Sequence, residues 1–135
     1  KEMEELIVHY TDKGINIRKI SGGYQFCTNK RYYEAATRLI QGEKRARLST
    51  ACLETLSIIA YRQPITRAEI EAIRGVRAES SLHTLLERGV ICIRGRKNAP
   101  GKPMIYGTTD EFLIHFGLNQ IEELPNYQSA RKGKK

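Results

Sequence analysis

The sequence predicts an α+β fold that is mainly helical, with helices on either side of two β-hairpins. Several segments repeat apolar residues at three- and four-residue steps, the spacing of one helix face. Two further stretches alternate apolar and polar residues around turn-forming glycines, as hairpin strands do. The same order of elements occurs twice, which predicts two modules within the 135 residues.

The first half of the sequence predicts a helix, a hairpin and a second helix. Residues 3–10 carry a helical apolar stripe, and Gly14 ends it where a left-handed residue is favoured. Two alternating strands follow within residues 15–28, joined by a tight turn at Ser21-Gly22-Gly23. Residues 29–40 carry a second apolar stripe, which predicts the helix after the hairpin.

The second half predicts three helices followed by a two-stranded hairpin, the order found in a winged helix-turn-helix. Ser49 is the expected cap of the first helix, whose inward face we assign to Cys52, Leu53, Leu56, Ile59 and Ala60. Thr66 and Glu69 form a capping box for the second helix. The third helix runs from about Ala78 to Arg88. A last helix begins after the hairpin, near Thr108 or Thr109, and we take Thr108 as its cap.

The internal repeat sets the predicted domain boundaries. Gly14 and Thr28 bound the first hairpin and Gly89 and Thr108 bound the second, and each threonine precedes the next apolar pair by four residues. Since the chain starts within a helix and without Met, we expect two leading helices of the first module to precede Lys1. The predicted organisation is the C-terminal half of a first winged-helix domain at 1–42, a basic linker at 43–48, a complete second winged-helix domain at 49–125 and a basic disordered tail at 126–135.

Composition and residue spacing argue against metal, disulfide and membrane functions. Cys27, Cys52 and Cys92 are odd in number and far apart, without a Cys-x-x-Cys pair, so buried free thiols in a reducing cytoplasm are expected. No apolar run approaches the roughly 20 residues that cross a bilayer. We therefore expect no metal site, no cofactor and no membrane association.

Catalysis finds little support in the sequence. His9, His83 and His115 are scattered over different predicted elements, without a carboxylate and a nucleophile in a recognisable pattern. Asp110-Glu111 stands in the first turn of a helix, where acidic side chains favour the helix dipole. We expect no catalytic residue, and we predict that the protein is not an enzyme.

The net charge of +8 is unevenly distributed. Residues 49–128 carry nine Lys and Arg against nine Asp and Glu, so the excess lies before and after the second module. The outward positions of the third helix also lack a base-reading Arg. The wing is more basic, because it carries Arg94, Arg96, Lys97 and Lys102. These side chains either contact DNA phosphate or a partner protein, or they only make the hairpin a solvated, charged surface. Weak non-specific DNA binding stays open, whereas sequence-specific reading is disfavoured.

Aromatic side chains in the first module suggest a protein-binding surface. Aromatic residues are enriched at protein interfaces, and the candidates here are Tyr24, Phe26, Tyr32 and Tyr33, with Tyr127 near the C-terminus. The alternative is that Tyr24, Phe26 and Tyr32 fill the core of the first module.

Several segments resemble the family of ScpB, segregation and condensation protein B. In the second half these segments are LETL (53–56), QPITRAEI (63–70), IRGV (73–76), LLERG (85–89), YGTTDEFL (106–113) and FGL (116–118). Upstream, Gly22-Gly23-Tyr24 and Phe26 followed by Thr28 resemble the wing of that family's first domain. The resemblance covers roughly residues 5–125.

The resemblance implies two tandem winged-helix domains and a role in the bacterial condensin-like complex. In that family ScpB is an accessory subunit that dimerises chiefly through its first domain and embraces the central segment of the kleisin ScpA, while ATP hydrolysis belongs to Smc. It implies a cytoplasmic, nucleoid-associated scaffold that acts in chromosome condensation and partition during cell division. The competing hypothesis is a DNA-binding winged-helix regulator that contacts the phosphate backbone through its wing.

Overall fold

The computed structural model describes residues 1–39 and 47–133. The chain divides into two compact units, Lys1–Arg47 and Leu48–Lys135. The prediction of an α+β, mainly helical fold is confirmed. Most of the predicted basic linker at 43–48, the last residue of the predicted helix at 29–40 and the final two residues of the tail lie outside the described residues.

The first unit contains a hairpin between two helical segments. Its elements are α1 (Glu2–Tyr10), β1 (Ile15–Ile20), β2 (Gly23–Thr28), a 3₁₀ turn (Lys30–Tyr32) and α2 (Tyr33–Leu39). Ser21 and Gly22 have φ values of 53° and 73°, the left-handed pair that a two-residue hairpin turn with right-handed strand twist requires. The sequence signal at this turn therefore reflects real backbone geometry.

The end of α1 differs from the prediction. Gly14 does not adopt a left-handed conformation, and Thr11 follows the helix in the right-handed region. The side chain of Asn16 instead donates to the carbonyls of Tyr10 and Thr11, at 2.7 and 3.0 Å. In many helices a left-handed glycine lets backbone N–H groups bond to the last carbonyls. Here the Asn16 side-chain amide of β1 bonds to these carbonyls instead.

The second unit begins with three helices whose starts follow from local side chains. They are α3 (Thr50–Arg62), α4 (Arg67–Arg74) and α5 (Glu79–Glu87). Ser49 Oγ accepts from the Cys52 backbone N–H at 3.2 Å, which caps α3. Thr66 and Glu69 accept from each other's backbone N–H, which forms the capping box of α4. Gly75 ends α4 with a left-handed φ of 74°, a conformation that favours glycine.

The wing of the second unit has three strands rather than the predicted two. β4 (Ile91–Arg96) and β5 (Met104–Thr108) form the hairpin, and β3 (Ile65–Thr66) pairs with the other edge of β5, giving the order β3-β5-β4. All pairings are antiparallel. A two-residue strand carries no alternation to detect, so the sequence showed only the capping signal of Thr66.

The prediction that Thr108 caps the last helix is wrong by one residue. Thr109 is the cap of α6 (Asp110–Phe116), because its Oγ accepts from the Phe112 N–H at 3.4 Å and donates to the Gly89 carbonyl. Thr108 ends β5, and its side chain and backbone N–H bond to the Gln63 amide. Because Thr108 is paired with Ile91 in the sheet, it cannot also cap the helix, and the next residue does so.

The prediction of a disordered tail at 126–135 is also wrong for its described part. A 3₁₀ turn (Ile121–Glu123) leads to α7 (Tyr127–Lys132), and Tyr127 is buried. The hydroxyl of Tyr61 on α3 donates to the Pro125 carbonyl at 2.8 Å, and the Tyr61 and Tyr127 rings lie 6.1 Å apart. Tyr127 therefore anchors the segment on α3 and does not offer the aromatic surface expected of it.

The core of the second unit lies between α3, α5 and the sheet. Leu56 and Ile59 of α3, Ile70 of α4 and Leu85 of α5 are almost completely buried. Cys52 is buried and free, while Cys27 and Cys92 are half-buried free thiols. Among the described residues, no helix has both the length and the apolarity needed to span a bilayer.

Candidate protein-binding surfaces

The wing cations hold positions fixed by contacts within the second unit. Arg94 donates to the Thr108 carbonyl across the hairpin, and Arg96 donates to the Lys102 carbonyl at 3.0 Å. Lys97 forms an ion pair with Glu69 at 2.7 Å. The side chains remain exposed. The Lys97 charge is balanced by Glu69, however, and the guanidinium groups of Arg94 and Arg96 each donate one hydrogen bond to a carbonyl of the wing.

The capping box of α4 is electrostatically coupled to the wing. The hydrogen bond from Lys97, together with the backbone N–H of Thr66, lowers the pKa of Glu69 to about 2. Glu69 therefore serves two roles at once, as the reciprocal partner in the α4 cap and as the counter-ion of the wing. The sequence indicated the first role and not the second, because Lys97 is 28 positions away.

The turn between α4 and α5 is held by a second carboxylate. Glu71 accepts from the Ala78 backbone N–H and from Arg67, both at 3.0 Å, and these contacts lower its pKa. Arg67 also reaches Glu79 at 3.5 Å. The network ties α4 to the N-terminal end of α5, where Ala78 supplies no side-chain cap.

The outward face of α5 does not resemble a base-reading helix. His83 Nε2 lies 3.2 Å from Glu87 Oε1, and the Thr84 hydroxyl donates to the Ser80 carbonyl of its own helix. Glu79 and Glu87 would place carboxylates near DNA phosphates, which opposes binding through electrostatic repulsion. The absence of a base-reading arginine noted in the sequence is therefore accompanied by acidic side chains.

The four aromatic residues singled out in the first unit are all exposed in the structure. Tyr24 and Tyr32 are each 48% exposed, Phe26 is 59% exposed and Tyr33 is 70% exposed. Tyr24 and Phe26 lie on one face of the hairpin because they are two residues apart on β2. Within the first unit they therefore form surface rather than core, apart from an edge contact of Phe26 with Tyr10 at 5.5 Å.

A further apolar surface lies on the second unit, where sequence reasoning did not place one. α3 and α4 border an open groove that includes Leu53, Ile58, Ile73 and Arg74, which we call the α3–α4 groove. Leu53 is 44% exposed, so its assignment to the inward face of α3 is wrong. It lies about 100° from Cys52 around the helix axis, at the edge of the face that Leu56, Ile59 and Ala60 bury.

The described residues contain no cluster of three or more His, Cys, Asp or Glu side chains that could hold a metal ion. His9, His83 and His115 lie on α1, α5 and α6 respectively. The polar contacts around them are local, such as the 2.7 Å approach of Lys13 Nζ to His9 Nε2.

Comparison with known proteins identifies the family. The family model described as segregation and condensation complex subunit ScpB matches residues 1–127. The chain belongs to the ScpB family. The segregation and condensation protein B of Symbiobacterium thermophilum is 56% identical over 113 residues, covering 84% of this chain and 51% of that relative. The Moorella thermoacetica relative of the same name is 49% identical over 124 residues, covering 92% of this chain and 63% of its own length.

Two solved structures share the fold of this chain. The crystal structure of ScpB from Mycobacterium tuberculosis matches with a TM-score of 0.53 at 36% identity, covering 87% of this chain and 74% of that one. A conserved hypothetical protein from Chlorobium tepidum matches with a TM-score of 0.51 at 40% identity, covering 85% and 72%. The chain spans 51% and 63% of the two curated ScpB relatives named above.

Proposed function

We propose that this chain is a non-catalytic scaffold subunit of the Smc–ScpA–ScpB complex that binds the kleisin ScpA and reaches Smc through it. In this role it acts at the nucleoid, in the cytoplasm, during chromosome condensation and partition in cell division. The first unit supplies contacts for self-association as a homodimer, and the second unit holds a segment of ScpA. Membership of the ScpB family supports this role.

The observation that carries the proposal is the contrast between paired charges and unpaired apolar side chains on the second unit. Lys97 is neutralised by Glu69, and the outward face of α5 carries Glu79 and Glu87. Leu53, Ile73 and Val76 meanwhile expose between 44% and 56% of their surface around α3 and α4. Such a surface favours a polypeptide partner over a polyanion, because apolar burial drives protein association.

Calorimetric titration of the chain with the purified central segment of ScpA tests this role directly. Light scattering on the same samples measures the mass with and without ScpA and so reports self-association. We expect saturable binding with a Kd in the micromolar range or tighter, and a mass increase that matches a defined stoichiometry. Absence of binding at tens of micromolar contradicts the proposal.

DNA binding through the wing is the competing function, and it is supported by the exposure of the wing cations. Arg94, Arg96 and Lys97 remain accessible to solvent despite their contacts. If the wing holds DNA, affinity falls steeply with salt and falls further in the Arg94→Ala, Arg96→Ala, Lys97→Ala triple variant. We expect that variant to keep full affinity for ScpA, which separates the two functions.

A further inference from the structure

The α3–α4 groove has a mixed lining: Leu53, Ile58 and Ile73 are apolar, Thr50, Ser57 and Glu54 are polar, and Arg74 is a deeply placed cation. It is wide open to solvent and has a volume of about 590 Å³. Leu53 of α3 and Ile73 of α4 are 44% and 56% exposed. Arg74 lines the groove beside them, yet its side chain is only 7% exposed.

The guanidinium of Arg74 is incompletely paired. Its Nη1 donates to the Arg77 carbonyl at 3.3 Å, and its Nη2 contacts Glu54 Oε2 at 3.2 Å. Its Nε is buried and has no hydrogen-bond partner among the described residues. A buried donor without a partner loses its hydration without compensation, so an acceptor that reached it would gain more than an ordinary surface contact.

Glu54 holds Arg74 weakly. A carboxylate that pairs with arginine usually accepts two parallel hydrogen bonds from the guanidinium fork, whereas Glu54 makes one contact and remains 58% exposed. Glu54 also lines the groove, so it can turn outward to solvent without crossing the core. The pair therefore has the properties of an exchangeable contact rather than a fixed one.

We infer that the α3–α4 groove is the seat of an amphipathic helix from a partner polypeptide, which inserts apolar side chains between Leu53 and Ile73 and one carboxylate against Arg74. The partner carboxylate replaces Glu54 and takes Nε and Nη2 of Arg74 together. A helix suits the groove because its apolar and acidic side chains recur on one face at three- and four-residue steps. The inference rests on the proposed function, since it places the ScpA segment in this groove.

Three single variants of the full chain, titrated with the purified central segment of ScpA, test the inference. Leu53→Glu should weaken binding at least thirtyfold, because it puts a charge in the apolar part of the groove. Arg74→Lys should weaken it about tenfold, because an ammonium keeps the charge and loses the fork. Glu54→Gln should strengthen it several-fold, because it removes the competing carboxylate. A purely structural role of Arg74 predicts no such gain.

Ile114→Glu is the matched control, since Ile114 is 40% exposed on α6 and does not line the groove. We expect its affinity to stay within twofold of the unchanged chain. Thermal unfolding of every variant verifies folding, and Ile73→Glu replaces Arg74→Lys if the latter does not fold. Equal affinity of the unchanged chain, Leu53→Glu and Ile114→Glu overturns the groove while leaving the proposed function intact.

A double-mutant cycle tests the carboxylate itself. Each Glu and Asp of the ScpA segment is changed to its amide and titrated against the unchanged chain and Arg74→Lys. At one position of ScpA, the amide substitution should weaken binding to the unchanged chain but should weaken binding to Arg74→Lys much less. That position carries the carboxylate coupled to Arg74. Additive losses at every position overturn the acidic anchor. No binding of the unchanged chain to ScpA overturns the proposed function as well.

Discussion

The two hairpins share the register of their first three ladder pairs, up to the register shift between Ile93 and Gly95 in the second, and yet differ in which residues of those pairs they bury. Ile15 faces Thr28 in the first unit as Ile91 faces Thr108 in the second. The residue after each threonine, Asn29 or Thr109, donates its backbone N–H to the residue before the opening isoleucine, at 2.9 and 3.2 Å. The hairpin part of the predicted repeat therefore occurs in the structure, but Gly14 matches Val90 rather than Gly89, one residue away from the sequence-based alignment.

Equivalent positions in the two hairpins show how burial is decided. Ile17 is paired with Phe26, and Ile93 with Tyr106. Ile17 is buried and Phe26 is 59% exposed, whereas Tyr106 is buried and Ile93 is 46% exposed. α1 packs on β1 in the first unit, and β3 and α3 pack on β5 in the second. At this pair of positions, the buried residue is therefore the one on the strand that a neighbouring element covers.

The largest expected effect separates the two aromatic positions. Tyr106→Ala should lower the free energy of unfolding of the second unit by about 3–4 kcal/mol, because it removes a buried ring. Phe26→Ala should lower that of the first unit by no more than about 1 kcal/mol, since only its edge contact with Tyr10 is lost. Amide hydrogen exchange resolves the two units, and equal losses would refute the comparison.

A second prediction concerns the adjacent ladder position, Gly107 in one hairpin and Cys27 in the other. A Cβ on Gly107 would lie 2.8 Å from Arg94 Nε and 2.9 Å from Gln63 Oε1. Because both side chains are hydrogen-bonded to Thr108, moving them aside loses those bonds, and Gly107→Ala should destabilise the second unit by about 1–2 kcal/mol. Cys27→Ala is the matched change in the first unit and should leave stability nearly unaltered. Denaturant midpoints of the two variants provide the measurement.

The equivalent caps, Asn29 and Thr109, should have a smaller effect. Thr109→Ala should cost about 1 kcal/mol, a typical value for loss of a side-chain cap. Thr109→Ser keeps the hydroxyl and serves as its control. Asn29→Ala should speed hydrogen exchange at the Arg31 N–H, because this N–H donates a hydrogen bond to Asn29 Oδ1 at 3.0 Å. If Thr109→Ala were no costlier than Thr109→Ser, the assignment of the cap to Thr109 would fail.

The smallest effect concerns the ion pair that ties the wing to α4. The folded pKa of Glu69, about 2, lies below its ordinary value of 4.5. Its stabilisation is therefore complete above pH 4.5 and is lost as pH falls towards 2. Because Glu69 is 44% exposed, solvent screening reduces the contribution to about 1 kcal/mol or less.

Nuclear magnetic resonance titration of the Glu69 carboxyl carbon gives this pKa directly. Lys97→Ala should raise it, since Lys97 supplies the largest lowering contribution. Glu69→Gln should flatten the loss of stability between pH 4.5 and 2. An unchanged midpoint in Lys97→Ala would show that the wing is not coupled to the capping box.

The sequence by itself determined the elements whose hydrogen bonds close within a few residues. The turn at Ser21-Gly22, the cap at Ser49 and the capping box of Thr66 and Glu69 all depend on neighbouring backbone groups, so local residue types suffice to predict them. The density of family-like segments made the ScpB resemblance visible from the sequence as well.

Only the tertiary structure decided which surfaces are covered. Leu53 is exposed, Tyr127 is buried and Arg74 is sequestered with an unpaired Nε. The cap at Thr109 and the strand β3 belong here too, since both depend on partners distant in the chain. Burial is set by elements that are brought together from far along the sequence, and periodicity along a single helix or strand cannot report which face they meet.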